Sequence, residues 1–154
     1  MFTITPKVKS FLGIMLASMA VTGWQVPARA EQDSISQMIG SEKFLQMTAN
    51  MMNSSLPMMI DENTQWDSSY AGPGKMLTYS YTLMNYSASQ IDGSIFANNI
   101  KSNLTNTICT TPATQIFPNN GVMLNFHYYD NSRNLIARVN LSPNDCNSTM
   151  SNEQ

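Results

Sequence analysis

The chain has 154 residues, 12% of them charged, a formal net charge of −2 and two cysteines. That length is about one domain's worth, and without a basic cluster the chain lacks the footprint of a nucleic-acid or anionic-lipid binder. After Ala30 the balance turns more acidic: every Asp and Glu lies there, against only Lys43, Lys75, Lys101, Arg133 and Arg138, and Asn, Ser and Thr carry most of the polar character.

Lys7 and Lys9 precede an apolar run from Phe11 to Val21, and Pro27 leads into Ala28-Arg29-Ala30. A charged start, a run too short for a stable membrane anchor and a small-x-small site predict a signal peptide over residues 1–30, cleaved after Ala30. The product is expected in the periplasm or secreted, with no membrane insertion after cleavage. Residues 31–146 are expected to form a single α+β domain and residues 147–154 a polar disordered tail.

Apolar residues at three- and four-residue steps (Ile35, Met38, Ile39, Leu45, Ala49, Met52, Leu56) predict helix from Asp33 to Asn53. Gly40 is its weak point, Ser41 can cap a fresh start and Pro57 ends it. The period then falls to two. A strand is expected around Thr64 to Tyr70, a turn at Gly72-Pro73-Gly74 and a second strand from Lys75 to Met84, together an antiparallel hairpin. On the second strand Leu77, Tyr79, Tyr81 and Leu83 share one face.

Asp92-Gly93-Ser94 opens another helix, with Phe96, Ile100, Leu104 and Ile108 spaced by four and leading to Cys109. Thr111-Pro112 starts a short helical turn through Phe117. A strand follows from Val122 to Tyr129, with Leu124, Phe126 and Tyr128 opposite Met123, Asn125, His127 and Tyr129. Asp130 to Asn134 forms a loop, and Leu135 to Leu141 a closing strand that Pro143 ends. The order predicts an α+β fold: a four-stranded antiparallel sheet with helices packed on one face.

In an exported chain an even cysteine count reads as a disulfide, and Cys109 and Cys146 allow only one intramolecular pairing. Closing so long a loop stabilises by roughly 3–4 kcal/mol. No cysteine lies near the cleavage site to accept a lipid.

Chemistry is sparse. His127 is the sole histidine, and no spacing places an acid or a nucleophile beside it. Asp61-Glu62, Asp67, Asp92, Asp130 and Asp145 scatter over turns and strand ends, where acids cap and solvate. Asp130-Asn131-Ser132 lacks the glycine and distal glutamate of a calcium loop. The reading is therefore not an enzyme, with no cofactor and no metal. Tyrosines on strand faces, with their apolar bodies and polar tips, suit an interface. The candidate protein-binding residues are Tyr79, Tyr81, Phe126, His127 and Tyr129, with Met51, Met52, Met58 and Met59 as adaptable neighbours.

Leu56-Pro57-Met58, then a helix ending at Cys109, a Pro112-led turn, Asn120-Gly121, a strand, the loop Asn131-Ser132-Arg133-Asn134, a strand and Cys146 together resemble the pilotins of type II secretion systems, of the α/β class. The likeness spans most of residues 50 to 146. It implies a sheet flanked by helices, a disulfide and a peptide-binding groove. Pilotins of this kind are acylated lipoproteins that carry a secretin subunit to the outer membrane, whereas this chain has no acylatable cysteine after its leader. The function expected is an exported, non-enzymatic binding or accessory protein with a protein or peptide partner, pilotin-like in a secretion or envelope machine. The alternative is an inhibitor or immunity protein docking on an exported toxin or hydrolase.

Overall fold

The structure, a computed structural model, describes the backbone of residues 28–150 and the side chains of residues 34–147. Of the expected leader, residues 1–27 lie outside the described residues, and Ala28-Arg29-Ala30 form the first turn of a helix.

That helix, α1 (Ala28–Ile39), stops where Gly40 was expected to break it. Ser41 then caps α2 (Glu42–Asn53): its hydroxyl accepts from the Phe44 amide at 3.2 Å, satisfying one of the orphan donors of the first turn. α2 buries Leu45 and Ala49. The sheet follows as β1 (Met58–Met59), β2 (Thr64–Gly72) and β3 (Met76–Leu83), with β2 and β3 an antiparallel hairpin whose register slips between Trp66 and Ser68. At the turn Gly74 has φ +76°, a conformation with no steric penalty for glycine alone.

α3 (Gly93–Thr110) is capped by Asp92, whose carboxylate accepts from the Ser94 and Ile95 amides. α4 (Pro112–Asn119) starts on Pro112 as expected. The chain closes with β4 (Met123–Asp130), β5 (Leu135–Leu141) and α5 (Pro143–Met150).

The α+β architecture holds, with two corrections to the sheet. It has five strands in the order β1-β2-β3-β4-β5, and β3 pairs with β4 in parallel. β1 contributes only two residues, too few for any alternation to mark it. The parallel pairing follows from the long connection through α3 and α4, which returns the chain to the end of the sheet where β3 begins, as a two-residue turn cannot.

A further difference lies at the C-terminus. The segment from Asn147, expected to be disordered, begins as the last turn of α5, and residues 151–154 lie outside the described residues. Pro143 suits a first turn, and Asp145 accepts from the Ser142 amide and hydroxyl, both at 2.7 Å.

Cys109 and Cys146 form the disulfide, joining α3 to α5 across 37 positions of sequence. Lys101 and Asp145 pair at 3.0 Å between the same two helices. At the other end of α3, a Cβ on Gly93 would collide with the Ile136 carbonyl oxygen. Only glycine allows that approach of helix to strand.

One core joins the helices to the sheet: Leu45 and Ala49 from α2, Ile108 and Cys109 from α3, Phe117 from α4, and Leu77, Tyr79, Leu124, Phe126, Val139 and Leu141 from the strands. Asp130, 1% exposed, fastens the far end of β4. Its carboxylate accepts from the amides of Ala88, Ser132 and Asn134 and from the Asn134 side chain. Those donors favour the charged form and hold its pKa down at about 2. The acid read as a turn residue is thus the anchor of the β4–β5 loop.

Candidate binding groove

Alternation sorts the strands into two chemically different faces. Toward the helices, Leu77, Tyr79 and Tyr81 of β3 pair in register with Leu124, Phe126 and Tyr128 of β4. The rings form two rows: Tyr79 stacks on Phe126 at 5.1 Å between centroids, and Tyr81 on Tyr128 at 5.2 Å. Trp66 of β2 bridges the rows, 5.8 Å from Tyr79 and 6.2 Å from Tyr81. The Trp66 indole N–H donates to the Ser69 hydroxyl at 3.1 Å, which orients the ring.

Between the helices this aromatic floor stays open. Met52 of α2, Leu104 and Ile108 of α3, and Thr114 and Phe117 of α4 wall a groove of about 220 Å³ over Trp66, Tyr79, Tyr81, Leu124 and Phe126. Thr114 is the sole polar side chain apart from the phenols and the indole N–H. Its hydroxyl already donates to backbone carbonyls of Ile108 and Thr111. Burial pushes the phenols of Tyr79 and Tyr81 up, and that of Tyr128 to about 12, so the floor is uncharged at neutral pH. The volume is below the range typical of whole small-molecule ligands and matches a few apolar side chains. Trp66, Tyr81, Met52 and Leu104 are only half-buried, so the groove opens to solvent.

The α2 wall is tied to the sheet by Asn53. Its carboxamide donates to the Ser69 carbonyl and accepts from the Ser69 amide, both at 2.7 Å, as a neighbouring strand would.

The candidate residues divide. Tyr79, Tyr81, Phe126 and Met52 come together in the groove. Met51 points away and is 73% exposed, while Met58 and Met59 lie on the edge strand β1. His127 and Tyr129 stand on the opposite, open face of the sheet, their rings 6.4 Å apart. Arg138 is the register partner of His127 there. Partial burial, then the Arg138 charge, hold the His127 pKa below its ordinary value. Among the described residues no cluster of three or more His, Cys, Asp or Glu is placed to hold a metal ion, and no helix is long and apolar enough to cross a membrane.

Sequence reading missed Trp66, Leu104, Ile108, Thr114, Phe117 and Leu124 as groove residues. The four-residue spacing of Leu104 and Ile108 and the strand alternation at Trp66 were visible, but each reads equally as plain core.

The model of a family described as "Domain of unknown function (DUF8479)" matches residues 40–137. No curated protein matches the sequence. Three solved structures share the fold. A protein from Pseudomonas aeruginosa described as secreted superposes with a TM-score of 0.59 at 15% identity, covering 68% of this chain and 91% of that one. The pilotin EpsS of the Vibrio vulnificus type 2 secretion system gives 0.57 at 11% identity, covering 76% and 96%. The type II secretion system pilotin AspS of Vibrio cholerae gives 0.53 at 13% identity, covering 77% and 99%.

Proposed function

The chain belongs to the DUF8479 family, and we propose that it is an exported, non-enzymatic binding protein, a pilotin-like adaptor that holds an apolar segment of a protein partner between α2 and α3. One observation carries this reading: an aromatic, uncharged floor left open between two helices. A core built only for stability would close over Trp66 and Tyr81, whereas an amphipathic helix or an extended peptide needs such a slot for its anchoring side chains. The fold shared with two pilotins supports the reading, as does a disulfide, a bond that persists in oxidising compartments. The same disulfide uses both cysteines of the chain, leaving no thiol for acylation. We therefore favour an adaptor that works in the periplasm or outside the cell without a cysteine-linked lipid.

The test is capture from periplasmic extract with mass spectrometry, comparing the parent chain with Tyr81→Ala and Tyr129→Ala. A subunit of a secretion or envelope machine, lost with Tyr81→Ala and kept with Tyr129→Ala, is the expected result. A toxin or hydrolase as the specific partner would favour the inhibitor reading. Capture insensitive to Tyr81→Ala would place the site elsewhere.

A further inference from the structure

Two methionine pairs flank the groove, and each pair is split by the local geometry. On α2, Met52 lines the groove while Met51 is 73% exposed. On β1, Met58 and Met59 are 44% and 47% exposed, nearly equal access to solvent. Register partners share a face of the sheet. Met58 pairs with Trp66, so it lies on the helix side, next to a residue that lines the groove. Met59 pairs with Gln65, whose strand neighbours place it on the open side.

We propose that Met58 is an oxidative modification site that weakens the groove, an inference that rests on the groove being a binding site. Hydrogen peroxide transfers one oxygen atom to the thioether. The sulfur gains an S=O bond and is oxidised by two electrons, the O–O bond breaks, and the peroxide leaves as water. The sulfoxide is polar and enzymatically reducible, so the change is reversible. Next to Trp66 of an uncharged groove, an S=O group either stays in water and holds the occupant off or is buried without a partner, and both outcomes cost affinity. Neither cysteine is free to intercept the oxidant. Met59 is oxidised at a similar rate but on the wrong face to matter.

The neutral apolar dye Nile red serves as the probe, with the parent chain, Met58→Leu and Met59→Leu titrated before and after peroxide, and peptide mapping to locate the sulfoxides. The expected result is about fivefold weaker dye binding after oxidation in the parent and in Met59→Leu, with Met58→Leu little changed. Equal loss in Met58→Leu would overturn the assignment, as would a Met58 that resists peroxide while Met59 reacts. Unchanged binding in the oxidised parent would overturn the switch alone. No binding of the dye before oxidation would overturn the groove reading and this inference with it.

Discussion

The two faces of the sheet are built from the same strands and differ in almost every physical respect. On the helix side, stacked rings and aliphatic side chains fill the space and no group carries charge at neutral pH. On the open side, Thr82 donates to Asp67 at 2.7 Å, Gln65 donates to Asp67 at 2.9 Å, and Arg133 lies 3.7 Å from the same carboxylate. Asn125 reaches Thr78, and His127 stands beside Tyr129 and Arg138. The open face is satisfied by its own hydrogen bonds, whereas the helices leave Trp66 and Tyr81 only half-covered on the aromatic floor. Of the two surfaces, the helix side is the one that gains most from an occupant.

Adjacent residues give the sharpest contrast. Phe126→Ala empties the floor and should cost about 3–5 kcal/mol, whereas His127→Ala, one residue along and on the open face, should stay within about 0.5–1 kcal/mol. Urea unfolding of both variants measures this, and comparable losses would break the distinction between the faces. Next comes the covalent tie on the helix side. The Cys109→Ser/Cys146→Ser double variant should lose roughly 3–4 kcal/mol. Hydrogen exchange should show the loosening in α3 and α5, with the β2–β3 hairpin less affected.

Binding separates the faces further. Tyr81→Ala should weaken an identified partner by about 1–3 kcal/mol, and Tyr129→Ala should leave affinity nearly intact; calorimetry distinguishes them. The smallest effect is that of pH. The His127 pKa is lowered in the fold, so its contribution is fully present above the unfolded value near 6.5 and is lost as pH falls through the folded value. Stability should therefore decline slightly as pH falls below the unfolded value, and the decline attributable to this residue should vanish in His127→Gln. Asp130, depressed to about 2, acts in a lower window: its contribution is present above the ordinary carboxylate range and is lost toward that value. Groove binding should be flat over the His127 window, because the floor phenols are all pushed upward.

Local signals in the sequence carried well. The Gly40–Ser41 break, the β2–β3 hairpin, the Asp92 cap, Pro112 at the start of α4 and the single possible cysteine pairing all depend on neighbours in the chain or on simple exclusion. Non-local relations did not. Strand patterns are silent on whether β3 and β4 run parallel, which the length and path of the crossover decide. Period two also states that Tyr79 and Tyr81 share a face, as do His127 and Tyr129, but not which face the helices cover. That ambiguity put residues from both sides of the sheet into one candidate site. Helix α5 was hidden because Asn-Asp-Cys-Asn-Ser is polar, and its order comes from the Asp145 cap and the bond to α3.

The two walls of the groove are not mechanically equivalent. α3 is pinned near both ends, by the Gly93 approach to Ile136 and by the Cys109 bond to α5. α2 is clasped to the sheet through Asn53 at its last residue and buries Leu45 and Ala49 in the core, without a covalent tie. α3 is thus held by a covalent bond and a close backbone approach, α2 by the Asn53 clasp and by Leu45 and Ala49 in the core, so a guest of greater girth should shift the non-covalently held wall first.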